Sequence, residues 1–364
     1  MIYRRRGVRC GVVALVCSLV MLCGCSGPQV RHQPVFYPSL PEKPRLQFLT
    51  SISSEDDLTG KKPGLDDFIM GDKQSDASMG RPYAVHAAKG MIYLTDRASN
   101  DLVRINLATN KIVPLRSGGR GALQVPAGIW VAENGDTFIA DMKRKQVVVF
   151  DRDGRFVTAL GDGTLLERPV DVAVYDERVY VCDIEKHQVV VFDRVTGRQI
   201  AIIGKPGIKD GELNRPSHVT VDSVGNLYVT EAMNFRVQKF SPVGSFLQRI
   251  GQAGNVLGTF ARPKGVAVDR DNNLYVVDAA FENVQIFNTE GKLLLFFGGA
   301  GESPGSMYLP AGIAVDYQNV EHFQKYADPR FKLSYLIYVC NMLGSNKLSV
   351  YGFGDWLETP RKTE

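Results

Sequence analysis

At 364 residues the chain has room for one large domain or two small ones. Its formal charge of +4 comes from Arg4, Arg5, Arg6 and Arg9, because residues 1–24 contain no acid; the rest is neutral, with no global basic field to hold nucleic acid. Of six cysteines only Cys182 and Cys340 lie beyond position 25, and no Cys-x-x-Cys-His occurs, so the chain carries no c-type haem of its own.

The first element is a leader. "MIYRRRGVR" is a positive segment, and "CGVVALVCSLVMLCG" behind it is apolar, too short to span a bilayer and suited to a signal peptide. It ends in Leu22-Cys23-Gly24-Cys25, which resembles the lipobox of bacterial lipoproteins. The resemblance implies a signal peptide over 1–24, lipidation of Cys25 and a Pro-containing linker over 25–44. It also implies a membrane-anchored protein of the cell envelope, facing periplasm or exterior. Ser26, in place of an Asp, favours the outer membrane.

A repeat follows. Pro82, Pro126, Pro169, Pro216, Pro263 and Pro310 are spaced by 44, 43, 47, 47 and 47 residues. Each opens an apolar run ("SHVTVD", "KGVAVD"), then a turn, a second run ("NLYVTE", "NLYVVD") and a third ("RVQKFS", "NVQIFN"). In five units a fourth run precedes the next proline. Short runs rich in Val, Ile, Tyr and Phe, bounded by Gly, Asp and Asn, predict strands. Four antiparallel strands per unit predict a propeller blade, and six units an all-β, six-bladed β-propeller. The sixth unit lacks its fourth run. "PRLQFLTSIS" alternates like one, so Arg45–Ile52 is expected to close the ring as the outermost strand of blade six, against Lys347–Tyr351. Residues 45–80 then hold closing strand and connector, with a helical turn at "GLDDFIMGD", and the blades occupy 81–352. An insertion over 317–334 with a short helix at "EHFQKY" interrupts blade six, and 353–364 form a tail.

The blades resemble NHL repeats, most closely in "RPSHVTVDSVGNLYVTEAMNFRVQKF" and "RPKGVAVDRDNNLYVVDA". With the lipobox, the whole is similar to the exported NHL lipoproteins of bacteria. The resemblance implies a binding scaffold. Since such proteins accompany c-type cytochromes in some bacteria, it also implies a possible redox partner. The alternative is a metal-dependent lyase or lactone hydrolase working in the channel. The similar amidating lyases hold zinc through histidines that directly follow a proline. Here those positions are Tyr83, Ala127, Val170, Ser217, Lys264 and Ala311, so no metal and no cofactor are expected.

Strand direction puts the loop before each proline and the loop between second and third strands on one face, the top. That face carries Asp96, Asp141, Asp183, Glu231, Asp278 and Asn341, one per blade. Recurrence points to a structural task, accepting backbone N–H groups of the turns. Arg81, Arg168, Arg215 and Arg262 precede four of the prolines. Bridges from these arginines to the ring acids of neighbouring blades would occupy both sets; the alternative is an anion-binding ring. Functional candidates are the positions that break the repeat. Two residues after the prolines, Asp171 and His218 stand among small residues and make a candidate channel-mouth site; two residues deeper, His86 and Trp130 are the odd ones. The top loops also differ by sector. Lys143, Arg144 and Lys145, with Lys186 and His187, are basic, and Phe235 and Phe281, with Met233, Met342 and Leu343, are apolar. Lys143, Arg144, Lys145, Phe235 and Phe281 are the expected surface for a protein partner.

Overall fold

The computed structural model describes residues 33–59 and 79–358. Cys25, the "GLDDFIMGD" stretch and the residues after 358 lie outside the described residues. Among the described residues no helix is long and apolar enough to cross a membrane.

Six antiparallel sheets form a six-bladed β-propeller. Blades one to five each contain four strands in chain order, from Pro82–Pro114 in the first to Pro263–Gly298 in the fifth. The innermost strand of every blade starts at its repeat proline, and each packs against the innermost strand of the next, the sixth against the first. A strand covered on both faces by neighbours needs apolar residues on both. The inner strand Pro169–Tyr175 accordingly reads PVDVAVY and is buried over its first six residues. Outer strands alternate: Phe246–Ile250 presents exposed Leu247 and Arg249 between less exposed residues.

Blade six is assembled from both ends of the propeller unit. Leu46–Ile52 pairs with Leu348–Trp356, which pairs with Phe331–Asn341, which pairs with the inner strand Pro310–Asp316. Three features depart from the sequence reading. Leu46–Ile52 is not outermost, because Phe36–Tyr37, assigned to the linker, adds a fifth strand outside it. Phe36 is buried there, edge-on to Trp356 at 5.2 Å between ring centres. The last part of the expected insertion, from Phe331, is strand. Phe331, Leu333 and Tyr335 alternate inward and so extend the second strand of the blade. The start of the expected tail is strand as well, since Gly354, Asp355 and Trp356 continue the pairing with Leu333, Lys332 and Phe331. Within the insertion Val320–Phe323 forms a helical turn, prolonged by a 3-10 turn over Gln324–Tyr326.

Candidate functional site

The ring of turn acids is built first by the repeat. Asp141 accepts the N–H groups of Gln124, Val125, Lys143 and Arg144 at 2.6–3.1 Å. Asp96 and Asp278 do the same in their blades, and Asp183 likewise with Glu167, Arg168, Glu185 and Lys186. One carboxylate thus joins the loop entering a blade to its second turn. Glu231, a methylene longer, still accepts the Asn214 N–H of the entering loop at 2.9 Å, but its remaining partners are side chains: Arg236, Gln238 and Asn234. The expected arginine bridges to these acids do not form. It is the main-chain N–H groups of Arg81, Arg168 and Arg262 that meet the acids. The guanidinium groups of Arg168 and Arg215 converge instead on Glu185, at 3.3 and 3.0 Å. The ring acids have their oxygens saturated by nearer donors, so they offer the arginines nothing.

The candidates on the axis surround one cavity, of about 120 Å³, lined by the inner strands of all six blades. Asp171, His218, His86 and Trp130 all line it. Asp171 and His218 are not hydrogen bonded to each other. The Asp171 carboxylate accepts its neighbour Val172 N–H at 2.9 Å and, across to blade four, Val219 N–H at 3.0 Å. A side chain on Gly128 would overlap that carboxylate, so the glycine of blade two makes room for the aspartate of blade three. Burial pushes the Asp171 carboxyl up to about 7 against the pull of both N–H groups.

His218 faces another way. Its ring stacks on that of Tyr83 from the opposite blade, with centres 5.8 Å apart and planes within 25°. The two rings meet across the channel mouth, and both are buried. His218 Nδ1 contacts Ser217 Oγ at 3.2 Å, and Nε2 has no partner. Burial, with the charges of Lys264 and Arg97, holds its imidazolium down to about 3. Deeper in, His86 lies 4.8 Å from Trp130 between ring centres; its Nδ1 is unpartnered, and burial lowers it to about 4.

Three residues that the sequence reading did not single out complete the mouth: Tyr83, Arg97 and Lys264. The Arg97 guanidinium lies 3.5 Å over the Tyr83 ring and reaches Met142 Sδ at 3.8 Å. Lys264 Nζ lies 5.7 Å from the same ring and 3.8 Å from Met342 Sδ. Burial, with the charges of Arg262 and Arg97, lowers Lys264 to about 8. The signal was present in the repeat: the residue after the turn acid is Arg97 in blade one and Met142, Ile184, Ala232, Ala279 and Met342 elsewhere.

The expected partner surface divides. Lys143 and Lys145 are exposed, but Arg144 is folded back onto the carbonyls of Arg120 and Ala122, and Lys186 onto those of Thr164 and Leu165. Phe235 and Phe281 are half-buried, and Phe235 packs on the core between blades four and five; Met233 and Leu343 are more exposed.

No known family model matches the chain. Similar folds occur among solved structures. A protein of unknown function from Bacteroides thetaiotaomicron is 17% identical, with a TM-score of 0.56 over 76% of this chain and 70% of its own. An auxiliary nutrient binding protein from the same organism is 13% identical, with a TM-score of 0.57 over the same shares. Virginiamycin B lyase from Staphylococcus aureus is 14% identical, with a TM-score of 0.52 over 75% of this chain and 85% of its own. At such identities the likeness shows the propeller fold alone.

Proposed function

We propose that this chain is an exported, lipid-anchored propeller of the NHL-repeat kind that serves as a binding scaffold, taking a partner or ligand on its top face. One observation carries the reading. On that face every ring acid is saturated within its own blade and entering loop, while Arg97 and Lys264 hold their charges at the axis against sulfur and an aromatic ring. The top face therefore offers unneutralised positive charge at its centre, exposed Lys143 and Lys145 in one sector, and Met233 and Leu343 in the other. Charge at the centre with apolar patches around it suits recognition of a protein or ligand. A redox protein such as a c-type cytochrome is the partner class that the NHL resemblance suggests. Asp171 serves this scaffold as a joint between blades, and His218 as part of the mouth.

The alternative, a metal-dependent lyase or hydrolase in the channel, has the unpartnered His86 Nδ1 and His218 Nε2 in its favour. The donor set does not fit a metal centre: among the described residues no three His, Cys, Asp or Glu side chains come together.

A pull-down from native envelope tests the reading. The rim variant Phe235→Ala/Phe281→Ala and the mouth variant Arg97→Gln/Lys264→Met should lose partners, whereas Asp171→Asn, at the joint between blades, should keep them. Partners retained by both of the first two, with a metabolite turned over only when Asp171 and His218 are intact, would replace the scaffold by the enzyme.

A further inference from the structure

The pair of cations at the mouth has an incomplete environment. Arg97 and Lys264 are each half-buried, and among the described residues neither forms an ion pair. Their contacts are one thioether sulfur each, a very weak acceptor, and Tyr83, whose ring both approach and whose hydroxyl also interacts with Arg97. A cation–π contact offsets part of the desolvation of a charge, not all of it. Arg97 Nε has no hydrogen-bond partner, and neither has Nε2 of His218, whose residue is 3% exposed. Arg81, Arg168 and Arg262 add to the positive field around the pair.

We infer that the channel mouth between Arg97 and Lys264, beside Tyr83, is a seat for the carboxylate of a small organic acid. This rests on the top face being the binding face. A carboxylate placed there would give the guanidinium and the ammonium the charge-assisted partner that the protein withholds. A single negative charge suits the place better than two, because Asp171 lies near Tyr83 and already brings a carboxyl to the underside of the mouth. The walls suit an organic body: Met142 and Met342 pack around Tyr83, and Leu343 is exposed beside them. Lys264, lowered by burial and by its cationic neighbours, would recover its usual range once the anion is seated.

The test is calorimetric titration of the purified full chain, at fixed ionic strength, with sodium phenylacetate, phenylacetamide and inorganic phosphate. Phenylacetate should bind and its amide should not. Arg97→Gln and Lys264→Met should each weaken binding tenfold or more, and Lys264→Arg should largely restore it. Should Arg97→Gln fail to fold, the Lys264 pair decides alone. Phenylacetate that binds no better than its amide, tighter binding of phosphate, or an unchanged affinity in Lys264→Met would each overturn the seat. The envelope pull-down separates the two ideas. A chain that captures its partner but binds no carboxylate keeps the top-face reading and removes the seat; carboxylate binding with no partner captured keeps the seat and removes the protein partner, leaving the top face a ligand site.

Discussion

The turn ring and the channel mouth lie on the same face and treat charge in opposite ways. In the ring, a buried carboxylate such as Asp141 meets four N–H donors and nothing is left over. At the mouth, Arg97 and Lys264 meet sulfur and π electrons, and His218 leaves a nitrogen unmet. The ring repeats in every blade, while each mouth residue occurs once. Saturated polar groups hold the fold; unsaturated ones at a surface mark where something else is to bind.

The ring and mouth both presuppose a closed propeller, so the largest effect tests closure. Deleting residues 34–53 removes Leu46–Ile52 and leaves Leu348–Trp356 as a bare edge. We expect an insoluble or non-cooperative chain; a deletion that melts like the parent would separate ring and mouth from closure altogether. Next comes Asp141→Ala, which strands four donors. A loss of about 2–4 kcal/mol in denaturant unfolding is expected, against less than about 1 kcal/mol for Arg97→Gln. Equal losses would abolish the distinction between ring and mouth.

A smaller effect sharpens it. His218 is held down to about 3 in the fold, below its ordinary value of 6.5. The unfolded chain therefore takes up the proton first, and stability present above about pH 6.5 is lost as pH falls towards 3. Asp171, raised to about 7, slopes the other way between about pH 4 and 7, so the readout is the difference between variant and parent. His218→Phe should lose less stability on acidification than the parent; an identical profile would mean that the imidazole is not desolvated. The smallest effect belongs to Lys143→Ala/Lys145→Ala. Stability should be unchanged, and only the rate of partner association and its salt dependence should fall, as measured by surface plasmon resonance.

Much of this is legible in the sequence, and the reason is repetition. The six prolines and the recurring turn acid announce blades, because a blade must solve the same packing problem six times. Phe36–Tyr37 was not legible, since two residues carry no period and only the groove beside Trp356 gives them a place. The arginine bridges failed because opposite charges at matching positions say nothing about which donors arrive first. Asp171 and His218 stood out as exceptions, but their partners did not. The stacking of His218 on Tyr83 joins residues 135 apart from opposite blades, a proximity no local pattern contains. Arg97 was visible only by comparison down the repeat, where every equivalent residue is apolar.

Blade six binds the first strands of the propeller to the last. Phe48 faces Tyr351 and Gln47 faces Gly352, about three hundred residues apart in the chain. Loop closure of that length disfavours early pairing, and non-local strands form slowly. Until Leu348–Trp356 is available, blade six lacks the strand that joins its two inner strands to Leu46–Ile52. The seam thus constrains assembly: the axial cavity is enclosed by all six inner strands only once both ends of the unit have met in blade six. A circular permutant that opens the chain between blades two and three, with the original ends joined, would move this seam and let blade six form from continuous chain.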